Sequence, residues 1–135
     1  MRYEDFLRKN VKVGDEVYFC FPRFGSVYSH VVENEKIYLI KNLSLTREQG
    51  CKVLSYNKLL NVSIWLNDGW EPNWANPKEK KWFICYDTKT NNYSIHYTTN
   101  KKSCNVYFKS KRLCKTAIEI MGDYYMSNIF DENNK

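Results

Sequence analysis

At 135 residues, with 43% hydrophobic and 16% aromatic side chains, the chain is long enough for one packed domain and too apolar to stay unfolded outside its polar tail, Asp131 to Lys135. No run of about 18 apolar residues occurs, which excludes a membrane-spanning helix. The start "MRYEDFLRKN" lacks the apolar stretch of a secretory signal, so a cytosolic location is expected.

"RYEDFLR" predicts a short helix carrying Phe6 and Leu7. Gly14-Asp15 reads as a turn, and Val17 to Phe21 as a strand that "PRFG" interrupts. "SVYSHVV", "ENEK" and "IYLI" read as a hairpin around a polar turn, so an N-terminal antiparallel region is expected over about 11–41. Thr46 followed by Gln49 has the form of a capping box at the start of a helix. Val53, Tyr56, Leu60 and Ile64 recur at helical spacing, with Leu59, Val62 and Leu66 beside them, and predict a wide apolar stripe that buries most of the helix towards its C-terminal half, with Trp65 in the core. Gly50 weakens its first turns, and "NDG", Asn67 to Gly69, supplies a stop.

Pro72 and Pro77 hold "WEPNWANP" extended. Its Trp70 and Trp74 fold back as a structural corner or form an exposed aromatic contact. "KKWFICYD", "YSIHYTT" and "CNVYF" predict a three-stranded meander. The rest, opened by Ser110 as N-cap, predicts a helix buried through Leu113, Ala117, Ile118, Met121, Tyr125 and Ile129, in which Gly122 is a weakness or an early end. The expected fold class is α+β: N-terminal hairpins and a three-stranded meander packed with two main helices. Residues 1–135 are expected to be a single compact domain, with a helix–meander–helix region over about 46–130.

The net charge of +6 is uneven. Residues 1–74 carry ten basic and nine acidic side chains, and residues 75–135 eleven against six. Between Lys78 and Lys115, ten cations face only Glu79 and Asp87. Such a field excludes an acidic mimic of DNA and favours a polyanion or an acidic protein face. In a meander the entry at 78–81 and the turn at 99–102 share one end. Lys78, Lys80, Lys81, Lys101 and Lys102 are therefore expected to converge there and to attract phosphates. Lys109, Lys111, Arg112 and Lys115 flank the start of the last helix, whose free N–H groups add anion donors. The bland alternative is a solvated lysine-rich surface.

Catalytic signatures are missing. There is no phosphate-cradling glycine loop, no paired-histidine zinc helix and no serine elbow. Acids are too few in the second half for a two-metal carboxylate site, and Asp15, Glu16, Glu33 and Glu35, which could cluster in the N-terminal sheet, read as turn and solvent-face charges. The five cysteines, Cys20, Cys51, Cys85, Cys104 and Cys114, are odd in number, and no two stand at metal or redox spacing. They are expected as free thiols packed like small apolar residues. A Cys–His nucleophile would have to draw on His30 or His96. The expectation is a protein that is not an enzyme and needs neither cofactor nor metal.

"NKLLNVSIWLNDGWEPNW", "KKWFICYD" and "VYFKSKRLCKTAIEIMG" together resemble small proteins of bacteriophages and other mobile elements. In those, a helix ends in an "LN-x-GW-x-P-x-W" loop, followed by aromatic strands and a "VYF-K-S" junction into a last helix. The resemblance covers roughly residues 45–125. It implies that Trp70, Pro72 and Trp74 form a structural corner. It also implies a phage-encoded inhibitor of the anti-CRISPR kind. The partner would be a host CRISPR effector or its guide RNA complex, an RNA-targeting one among the candidates, bound through the basic surface in the host cytosol. A general binder of RNA or single-stranded nucleic acid is the alternative.

Overall fold

The computed structural model describes residues 2–21, 26–34, 43–103 and 106–130. Helix α1 spans Tyr3–Asn10, β1 Glu16–Phe21, β2 Ser26–Val31, β3 Leu43–Ser44, α2 Arg47–Asn67, β4 Lys81–Asp87, β5 Asn92–Thr98 and α3 Lys111–Phe130. The α+β class with antiparallel sheets is as expected. No helix of the described residues is long and apolar enough to cross a membrane. The contacts divide the chain into two compact units, Met1–Leu54 and Ser55–Lys135.

In the first unit β1 is the central strand of a three-stranded sheet, in the order β2-β1-β3. β2 pairs with β1 along its full length, from Glu16 opposite Val31 to Phe21 opposite Ser26. The expected partner of β2, Ile37–Ile40, lies outside the described residues. Leu7, Val11, Val17, Phe19, Val32 and Leu43 form the core. The Thr46 hydroxyl accepts from the Gln49 N–H at 3.1 Å, one half of a capping box. The Gln49 carboxamide accepts instead from the Leu45 N–H at 2.9 Å, one residue before the cap. Gly50 is buried, and a Cβ there would come within 2.8 Å of the Val27 side chain, so the close approach of α2 to β2 favours glycine.

In the second unit β4 and β5 pair in full antiparallel register, Lys81 opposite Thr98 through Asp87 opposite Asn92. Of the expected third strand, residues 106–108 are described, and Phe108 forms a single antiparallel bridge to Trp82. The segment therefore lies beside β4, whereas a meander would set it beside β5. Trp82, Ile84, Tyr93 and Ile95 turn one sheet face to α3, packing with Phe108, Cys114, Ala117, Met121 and Met126.

The α2 helix buries only one side of the expected wide stripe: Leu59 is in the core and Val62 and Leu66 are half-buried against it. Val53, Tyr56, Leu60 and Ile64 are exposed, Ile64 at 64%, and Trp65 is 75% exposed rather than in the core. The buried ridge is Ser55, Leu59, Ser63 and Asn67, spaced by four residues. The reason is hydrogen bonding. The Asn67 side chain donates to the Tyr107 carbonyl at 3.0 Å and accepts from the Lys109 N–H at 3.0 Å. It supplies both halves of a backbone pairing that the 106–109 segment lacks on that edge. Small serines let neighbouring elements approach, and the Asn128 amide reaches the Ser55 hydroxyl at 3.4 Å.

Asp68 and Gly69 end α2 with φ of 46° and 86°, and the Trp70 N–H donates to the Asn67 carbonyl at 3.0 Å. Ser110 caps α3 as expected, its hydroxyl accepting from the Leu113 N–H at 3.2 Å. At Gly122, with φ 76° and ψ 166°, α3 breaks into two helical segments. That conformation belongs to glycine almost alone. A Cβ at 122 would meet no atom within 4 Å, so the penalty for a side chain there is wholly in the backbone. Gly122→Ala and Gly122→Asn are each expected to lower unfolding stability by about 1–3 kcal/mol, measured by urea denaturation. Asparagine brings no relief, because this is not the left-handed helical region that asparagine tolerates.

Candidate partner interface

The β4–β5 register sets Lys78 and Lys80, just before β4, at the same end of the hairpin as Lys101 and Lys102, just after β5. All four are exposed. The Lys101 N–H donates to the Thr98 hydroxyl at 3.1 Å, which ties the second lysine pair to the strand end. Lys109 is exposed and follows the Trp82–Phe108 bridge, which places it on the Lys81 side of that bridge. Lys111, Arg112 and Lys115 stand exposed on the first turns of α3. Ser110 already satisfies one amide of that helix start.

Lys81 belongs to a different class from its neighbours, and it is corrected here from a surface contact to an internal support. Its exposure is 0%. Its ammonium donates to the carbonyls of Asn76 at 2.9 Å and Thr99 at 3.0 Å, lies 3.6 Å from the Glu79 carboxylate and sits 5.2 Å from the Trp74 ring centre. A buried cation is tolerated only when its protons find partners, and these carbonyls, the carboxylate and the ring face supply them. The Trp74 ring in turn stands edge-on to Tyr107 at 5.0 Å. Asparagines hold the intervening loop: the Asn73 side chain accepts from the Ala75 N–H at 3.0 Å and the Asn76 side chain from the Lys78 N–H at 3.0 Å. The Glu79 carboxylate accepts from the Asn73 N–H at 2.7 Å. Trp74 is thus wedged into the sheet end. Trp70 and Pro72 line a groove of about 280 Å³ together with Leu60, Ile64, Val106 and Tyr107. That groove opens beside the exposed side chains of α2, so the corner has an apolar outer surface as well as an inner one.

Two aromatic residues that the sequence pattern did not single out also stand at the basic end. Tyr97 faces Trp82 across the strands, ring centres 5.0 Å apart, and the Lys80 ammonium lies 4.7 Å from the Tyr97 ring centre. Period-two alternation marks both rings for one sheet face. It cannot show that Tyr97, at the strand end, is 49% exposed.

Burial pushes the Cys114 thiol up to about 12 and raises that of Cys85, so neither favours the thiolate that nucleophilic attack requires. His96 shares a 3.0 Å hydrogen bond with the Ser94 hydroxyl. Cys104 lies outside the described residues. Among the described residues no three His, Cys, Asp or Glu side chains converge to hold a metal ion. No protein-family model, no curated protein and no solved structure matches the chain.

Lys81→Met is expected to cost about 2–4 kcal/mol of unfolding stability, because the Asn76 and Thr99 carbonyls and the Glu79 carboxylate lose their partner. Lys101→Met, at the exposed loop, should stay within about 0.5 kcal/mol of the wild type in the same urea titration. The Cys114 thiol ionises in the unfolded chain from about pH 9 and in the folded one only near about 12. Its contribution to stability is therefore complete below pH 9 and is lost as pH rises towards 12. Alkylation at pH 8 followed by peptide mapping should leave Cys114 unmodified until denaturant is added.

Proposed function

We propose that the chain is a non-enzymatic binding protein for a ribonucleoprotein, an inhibitor of the anti-CRISPR kind directed at a host effector or its guide RNA complex. The observation that carries the reading is the set of exposed lysines, Lys78, Lys80, Lys101 and Lys102, at one end of the β4–β5 hairpin. The neighbouring Glu79 is turned inward to Lys81 and the Asn73 amide, so it does little to offset them. A concentration of cations without exposed counter-charges suits a phosphate backbone.

The exposed face of α2 favours a protein component beside the nucleic acid. Tyr56, Leu60 and Ile64, spaced by four residues along one helix face, are exposed, and so is Trp65 next to Ile64; exposed apolar side chains grouped in this way mark protein contacts. Naked RNA would have little use for them. The alternative, a general binder of RNA or single-stranded nucleic acid, needs the basic end alone.

Two variants separate these readings. Replacing Lys80, Lys101 and Lys102 together by Ala should remove up to three phosphate contacts. The wild type should lose roughly 20-fold in RNA affinity between about 50 and 200 mM salt through those contacts, and the variant should lose that share of the salt dependence. Ile64→Glu should leave RNA binding unchanged and abolish capture of the effector complex. In a phage-interference assay against a panel of CRISPR systems, the wild type should restore plaques and both variants should fail. Absence of protection across the panel, with RNA binding intact, would leave the general nucleic-acid binder as the reading.

A further inference from the structure

We infer that Tyr97 is a stacking shelf for one unpaired RNA base, with Lys80, Lys101 and Lys102 holding the phosphates on either side of it. The inference rests on the reading above that the basic end meets RNA, and it adds the form of RNA: single-stranded and read without sequence preference.

Tyr97 stands on the sheet face whose other members are packed. Trp82, Tyr93 and Ile95 all lean on the core beneath α3, whereas Tyr97 is outside that cluster and 49% exposed. The ring is braced by Trp82 opposite, tilted by 56° at 5.0 Å. A braced, half-open aromatic ring is pre-set for stacking, because little side-chain freedom remains to be lost when a base arrives. Lys80 lies over the same pair, its ammonium 4.7 Å from the Tyr97 centre and 6.0 Å from that of Trp82. An exposed cation–π contact of this kind is weaker than a base stacked on an aromatic ring. A base can therefore displace the ammonium from the ring and leave it beside the adjoining phosphate. Lys101 and Lys102 follow Tyr97 by four and five residues, and the bond from the Lys101 N–H to the Thr98 hydroxyl ties the Lys101 backbone to the strand end that carries the ring. Every base offers a flat face, so the shelf accepts any of them. In a duplex the bases are held in their own stack, and the same lysines reach only phosphates.

The test uses the full chain and fluorescence anisotropy at low salt, with labelled oligouridine, oligoadenosine and an RNA duplex as probes. Tyr97→Ala and Tyr97→Leu should each weaken binding to both single strands roughly tenfold, leave duplex binding unchanged, and keep the wild-type melting temperature within a few degrees. Tyr97→Phe should bind as the wild type. The Lys80/Lys101/Lys102→Ala variant should lose affinity for all three probes. Single-strand binding that survives both Tyr97→Ala and Tyr97→Leu, while falling in the lysine variant, overturns the shelf and leaves the basic end standing. A wild-type chain that binds none of the probes overturns the shelf and the RNA reading together.

Discussion

The ammonium of Lys81 is the fastening on which the basic end depends. It joins a carbonyl of the 70–80 loop to a carbonyl beyond the end of β5, under the Trp74 ring. The chain on either side of it carries Lys78 and Lys80 in one direction and Lys101 and Lys102 in the other. Repulsion among those four would tend to spread the hairpin end. A fifth lysine turned inward holds the two segments together, because its donors go to backbone carbonyls and its charge meets Glu79. One residue type thus fills opposite roles within a few positions, and burial alone separates them.

A comparable division runs through α2. The helix is apolar on most of its circumference, so more than one face was available for the core. The face it buries carries Ser55, Ser63 and Asn67, and Asn67 is there because the backbone at Tyr107 and Lys109 requires a partner. Pairing these two part-buried peptide groups offsets a loss of the same order as leaving Leu60 or Ile64 uncovered. Of the displaced apolar side chains, Leu60 and Ile64 then line an open groove with Trp70 and Pro72.

Where the sequence carried a local rule, it was legible. Strict alternation marked β4 and β5, and the turn between them fixed a register that brought 78–80 and 101–102 to one end. Ser110 and Thr46 announced helix starts through their own hydroxyls. The remainder depended on long-range partners. No pattern in "KEKKW" distinguishes Lys81 from Lys80, because the difference lies in carbonyls five and 18 residues away. The buried ridge of α2 was hidden for the same reason, Asn67 being bonded 40 and 42 residues downstream. The strand expected at 104–108 alternates as well as the others. The place of its described residues, 106–108, beside β4 follows from the Trp82–Phe108 bridge, which periodicity does not encode. The exposure of Tyr97 was missed because alternation assigns a face but not the edge of the helix that covers it.

Gly50 and Val27 share one small volume, with no room for a methyl group on the helix while the valine keeps its branches. Any descendant that enlarges position 50 must trim position 27, and a bulkier strand residue at 27 would force the helix start away from β2. The two positions should therefore drift in concert across true kin. That paired signature offers a way to recognise distant relations of this chain even where overall similarity has faded.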